Sequence, residues 1–206
     1  MASFRPNGKR ILEVHLDGET VKARSGAMIA YEGNVTFKKS SVGGGEGLRG
    51  AFKRKLTGES LDLMDMEGRG LVYLASDATD VELIELTGDT LQVESSALLA
   101  LGSGLSTAVT FTGLRGATSG QGLFTTTISG HGQVAVLSDG PAIALEVSAA
   151  YPLVVDPDAY VCSRGQLQQS FVTDVSWRTF TGDGNGEAYS LRFAGSGVVY
   201  IQPAER

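Results

Sequence analysis

Val14–Ala30 reads VHLDGETVKARSGAMIA, and Ile84–Ala100 reads IELTGDTLQVESSALLA. The two stretches match at a constant offset of 70 residues: Gly18 with Gly88, Glu19 with Asp89, Thr20 with Thr90, and Ala27–Ala30 with Ala97–Ala100. Each begins with an apolar and polar alternation, crosses a glycine turn and resumes alternating, which is the pattern of half-buried strands. A third, weaker copy is VSAAYPLVVDPDAYVC from Val147, in which Ala159–Cys162 takes the place of Ala97–Ala100. Self-similarity at a fixed spacing points to a repeat architecture.

A second signature follows each copy. GESLDLMDMEGRGLVYLA starts at Gly58, GQGLFTTTISGHGQVAVL at Gly120 and GEAYSLRFAGSGVVYIQ at Gly186. Each contains strand-like residues around a Gly-x-Gly: Gly68 with Gly70, Gly130 with Gly132, and Gly195 with Gly197. A hairpin turn is the expectation there, because glycine adopts positive φ without a Cβ clash. Helical turns are expected only in GLRGAFKRKL and SSALLAL. A unit of roughly 65 residues does not easily form its own core. No Pro- or Ser-rich linker separates the copies. The sequence therefore predicts one all-β domain over 1–206, with repeats at about 9–76, 77–139 and 140–203 packed around a pseudo-threefold axis.

The stretches GAMIAYEGNVTF, LTGES, ALLAL and GEAYSLRFAGSGVVYIQP resemble the AIM24 family over about Lys9–Pro203. The resemblance implies a three-repeat relative of the tryptophan RNA-binding attenuation protein, with a TRAP-like, double-stranded β-helix-like fold. It brings no catalytic residues to carry over.

Composition bounds the function classes. The chain has 17 Lys and Arg against 23 Asp and Glu, a net charge of −6 and a sequence pI near 4.9. Such a chain repels phosphate backbones at long range, so any anion-binding surface must be a local basic patch. Cys162 is the only cysteine, which excludes an intrachain disulfide. MASFRPNGKRILEVHLDGE holds no apolar run of the length a signal peptide needs, and no stretch reaches the 18 or so apolar residues of a membrane-spanning helix. A soluble cytoplasmic protein is the expectation.

One such patch exists. SSVGGGEGLRGAFKRKLTGES spans Ser40–Ser60, and with the two preceding lysines it brings together Lys38, Lys39, Arg49, Lys53, Arg54 and Lys55 against Glu46 alone. As a helical turn its second half would place Leu48, Phe52 and Leu56 on one face, with the basic side chains solvated. Two readings follow. The segment is a solvated excursion between two strands, or it meets an anionic membrane surface or acidic partner, with Leu48 and Phe52 as apolar anchors. A phosphate loop is disfavoured, since Ala51 and Phe52 stand where Lys and Ser/Thr should follow Gly50.

Other chemistry finds little support. His15 and His131 are far apart, and with one cysteine they offer no zinc-ligand spacing. Cys162 aligns with Ala30 and Ala100, so it reads as a core residue rather than a reactive thiol. Glu59, Gln121 and Glu187 follow equivalent glycines; a structural hydrogen bond suits all three, whereas glutamine cannot serve as a general acid. The sequence reads as a non-enzymatic binding or scaffold protein without cofactor or metal, with room for a homo-oligomer. RNA binding by analogy with the attenuation protein is the alternative. It is disfavoured, because RNA needs exposed stacking aromatics and a distributed basic belt.

Overall fold

The computed structural model describes residues 2–40, 62–113, 122–172 and 190–203. Thirteen strands of these residues join in one hydrogen-bonded, antiparallel network. Its pairings fall into three groups that share one scheme.

In the first group, β2 (Ile11–Asp17), β3 (Val21–Arg24) and β4 (Met28–Lys39) all pair with β5 (Leu63–Leu74). Along one edge of β5, Leu63–Met66 meets β3 and Arg69–Leu74 meets β2. Its other edge is covered by β4. A short strand β1 (Ser3–Asn7) adds to the free edge of β2.

The second group contains β6 (Asp80–Glu94), β7 (Leu98–Leu101), β8 (Leu105–Gly113) and β9 (Gly122–Ser138). Here β6 fills the place of two strands. Asp80–Thr87 pairs with His131–Ser138, Thr90–Glu94 pairs with Thr125–Ser129, and the register shifts between Thr87 and Thr90. The opposite edge of β9 carries β7 and β8.

The third group repeats the scheme with β10 (Ile143–Val147) and β11 (Leu153–Val155) on one edge of β13 (Ser190–Ile201), and β12 (Tyr160–Val172) on the other. SSALLAL forms a 3₁₀ turn only at Ser95–Ala97 and continues as β7, and a second 3₁₀ turn spans Pro157–Ala159. Asp156 caps that second turn by accepting the Asp158 N–H, with Pro157 at its first position.

The bulges show why the three sequence copies align. The register shifts between Met28 and Ala30, between Leu98 and Ala100, and between Tyr160 and Cys162. Ala30, Ala100 and Cys162 therefore follow the same bulge in their ladders. A bulge leaves one residue out of the pairing and bends the strand. The bent start of β7 is thereby brought to β3, where Lys22 pairs with Leu101 and Ala23 with Ala100. The bent start of β12 meets β6 in the same way, pairing Cys162 with Val93, Ser163 with Gln92 and Arg164 with Leu91.

The Gly-x-Gly segments are not hairpin turns. Each lies inside one long strand, at the point where that strand changes partners. Gly68, Gly130 and Gly195 have φ of 127°, 127° and 121°. At Gly68 and Gly195 the strand turns a corner while β4 and β12, respectively, stay paired along its other edge. At Gly68 that approach is so close that a Cβ would lie 2.1 Å from the Asn34 carbonyl oxygen. A sequence reader sees the alternation stop at two glycines and infers a chain reversal; the backbone bends without reversing.

The core has three parts. The first holds Leu12, Val14, Val21, Met66, Val72 and Leu74, together with Leu99 and Ala100 from the second group. The second holds Ile84, Leu86, Leu91, Val93, Ile128 and Val134, together with Val161 and Cys162 from the third. The third is smaller, with Val147, Val155, Tyr160, Leu191, Phe193 and Val199, all from its own group. Full burial of each Val, Leu, Ile, Met or Phe side chain among them stabilises the fold by about 1.5–3 kcal/mol.

Candidate interaction surface

The strands β4 and β5 end, respectively begin, at the basic segment. Arg49, Lys53, Arg54 and Lys55, with Leu48 and Phe52, lie outside the described residues, as do Glu59, Gln121 and Glu187. Lys38 and Lys39 are described, and both face carboxylates across the ladder. The Lys38 Nζ lies 2.8 Å from Glu67 Oε2, and the Lys39 Nζ lies 3.4 Å from Asp62 Oδ1. The Glu67 carboxylate holds the Lys38 ammonium above its ordinary pKa, and Lys38 in turn holds Glu67 below its own. Both pairs are exposed, so each contributes little to stability.

Deeper on the same ribbon, Lys22 donates to Asp65 Oδ1 at 2.7 Å and to the Ser40 hydroxyl at 2.9 Å. Burial pushes the Asp65 carboxyl up, but hydrogen bonds from Lys22 and Ser40 outweigh it and leave the group below the ordinary range. The acids of DLMDME thus lie opposite the lysines of β3 and β4. Reading Lys38 and Lys39 from the local sequence alone misses this, because their partners arrive from across the ladder. Period-2 alternation in both strands was the available signal, since it places residues of one face in register.

His15 is exposed on β2, and His131 is exposed at the β9 corner, opposite Thr87. Cys162 is fully buried in the second core, and burial pushes its thiol pKa well up. The thiolate is the reactive form, so this thiol is inert in the folded chain. A thiol reagent is expected to leave native Cys162 unmodified while labelling the denatured chain completely; rapid labelling under native conditions would contradict the packing. Among the described residues no three His, Cys, Asp or Glu side chains gather as a metal site would require, and no helix is long and apolar enough to cross a membrane.

Arg164 and Asp89 form a pair of another kind. Their side chains meet at 2.7 Å across the joint between the second and third groups. Burial raises the Asp89 carboxyl, while the Thr87 N–H, its own N–H and Arg164 together lower it further, leaving it below the ordinary value. This ion pair spans the joint where β12 pairs with β6.

No curated protein matches the chain significantly. The X-ray crystal structure of protein SPYM3_0169 from Streptococcus pyogenes superposes with a TM-score of 0.76 at 23% identity, covering 100% of this chain and 94% of that one. At that identity the likeness shows a shared fold. A family match, to the family described as mitochondrial biogenesis AIM24, extends over residues 4–204. With nearly the whole chain covered, the protein belongs to the AIM24 family.

Proposed function

We infer that the chain is a non-enzymatic binding or scaffold protein that meets an anionic surface through the basic segment between β4 and β5. The observation that carries this reading is the charge distribution along that ribbon. The acids of β5 and its approach are engaged by Lys22, Lys38 and Lys39. Arg49, Lys53, Arg54 and Lys55 follow with Glu46 as the one acid between Ser40 and Lys55. On a chain of net charge −6, a local excess of this kind gives short-range attraction to anions. An anionic bilayer is the surface this segment suits, because Leu48 and Phe52 are interleaved with the cations.

The test is sedimentation with liposomes of rising anionic lipid content at low and moderate salt. Each Lys or Arg near an anionic surface is worth on the order of 1 kcal/mol. Changing Lys53, Arg54 and Lys55 together to alanine should remove roughly 3 kcal/mol, over a hundredfold in affinity. Binding that is absent at low salt, or equal in the triple variant, would overturn the reading. Preferential capture of single-stranded RNA in the same assay would favour the RNA alternative instead.

A further inference from the structure

Three dipeptides among the described residues join an Asn or Asp to a glycine: Asn7–Gly8, Asp17–Gly18 and Asp139–Gly140. At such a pair the glycine nitrogen can attack the preceding side-chain carbonyl carbon, because no Cβ obstructs closure of a succinimide ring. The three pairs differ in chemistry and in setting. A neutral carboxamide is a better electrophile than a carboxylate, which favours Asn7. The Gly18 N–H donates to the Gly68 carbonyl at 2.8 Å and is held there, and a Cβ at Gly140 would lie 2.9 Å from the Pro203 ring. Around Gly8 there is space: its φ is 67°, nothing lies within 4 Å of its Cβ position, and Asn7 is exposed.

The dipeptide enters the tight turn between β1 and β2, which the pairing of Asn7 with Ile11 closes. Beyond it the turn is anchored. The Lys9 carbonyl accepts from the Val81 N–H at 2.6 Å, and Arg10 Nε lies 3.3 Å from Asp80 Oδ1. Before it the chain is lightly held. In β1 only Phe4 is buried, and Pro6 has no N–H to give the ladder. The Phe4 N–H donates to Gln133 Oε1 at 2.9 Å, and Asn7 Nδ2 donates to Glu13 Oε1 at 2.6 Å. A short edge strand of this kind opens locally at low cost, which frees Asn7 to turn its side chain toward the Gly8 nitrogen.

We propose that Asn7–Gly8 is a site of spontaneous deamidation, and that the reaction loosens β1 from β2. The Gly8 nitrogen gives its proton to hydroxide and bonds to Asn7 Cγ. The Cγ–Nδ2 bond breaks, and ammonia leaves with a proton from water. Water then opens the succinimide at either carbonyl, leaving aspartate or isoaspartate at this position. Both products replace the amide donor to Glu13 by a second carboxylate, so a hydrogen bond becomes a like-charge pair. Isoaspartate also lengthens the main chain by one methylene at the pair that closes the turn. Phe4 is then the main tie of β1 to the first core. This inference does not depend on the anionic-surface reading.

The test ages the purified full chain at mildly alkaline pH and maps its tryptic peptides by mass. The peptide Met1–Lys9 contains Asn7 and is separate from the one that contains Asn185–Gly186. It should gain the mass of an amide-to-acid conversion, with isoaspartate as the larger product, while Asn7→Gln stays unchanged over the same period. Hydrogen exchange at the Phe4 amide should accelerate in the aged chain and in Asn7→Asp, with exchange in β9 unaltered. An unmodified peptide in the native chain, alongside ready deamidation of the urea-denatured chain, would show that the hairpin protects Asn7 and would overturn the proposal. Unchanged Phe4 exchange in both the aged chain and Asn7→Asp would overturn the release of β1.

Discussion

Replacing Gly68 by alanine should destabilise the fold by roughly 3–5 kcal/mol, the sum of backbone strain and local overpacking. The position combines a φ of 127° with a backbone approach that leaves no room: an added Cβ would sit 2.1 Å from the Asn34 carbonyl oxygen and 3.2 Å from the Val35 Cα. Neither neighbour is a flexible side chain, so the β4–β5 ladder itself would have to open. Gly8 provides the comparison, since its φ is 67° and nothing lies within 4 Å of its Cβ position. Gly8→Ala should cost only the left-handed penalty, about 1–2 kcal/mol. Urea unfolding of both variants reads the difference directly. Equal losses would show that backbone conformation alone matters and that the close approach at the corner does not. The same reasoning extends to Gly195, whose Cβ would lie 2.1 Å from the Gln166 carbonyl oxygen.

That corner also marks how far the sequence could be read. The matched glycines and small residues were visible because each occupies the same place in a ladder: Ala30, Ala100 and Cys162 follow the bulge, and Gly68, Gly130 and Gly195 form the corner. Small residues recur where backbones crowd, whatever the neighbouring side chains are. The all-β class followed from alternation. Three things did not follow. A glycine pair interrupts alternation in the same way at a turn and at an in-strand bend, so the long strands β5, β9 and β13 read as hairpins. The carboxylates facing Lys38 and Lys39 come from residues 29 and 23 positions onward, a distance that a local charge count ignores. Finally, Ile29, Leu99 and Val161 are equally apolar as letters, yet one is exposed and two are buried. Only the order of pairing shows that Leu99 and Val161 sit in cores shared with a neighbouring group.

Tyr160→Ala should be the most damaging side-chain truncation in the third group, at about 3–5 kcal/mol for a large buried aromatic. Tyr160 is 1% exposed, precedes the bulge of β12, and stacks on Phe193 with ring centroids 5.4 Å apart and planes 25° from parallel. Its counterparts in the other two ladders are Met28 and Leu98, which have no polar atom to offer. The phenol adds a bond between groups. It donates to the Gln92 carbonyl of β6 at 3.0 Å, while the Ser163 hydroxyl, also 3.0 Å away, can donate to its oxygen. Burial pushes the phenol pKa far above its ordinary value, so this donor keeps its proton throughout the physiological range. Tyr160→Phe retains the ring and removes only that bond, which should cost about 1–3 kcal/mol because Ser163 and the Gln92 carbonyl each lose a partner. The gap between the two variants therefore separates packing within the third core from attachment of that core to the second. Both should unfold in a single transition, because the bulged start of β12 belongs to the second core as well as to its own ladder. A two-step transition in Tyr160→Ala, with the third group lost first, would show that the joint transmits no cooperativity.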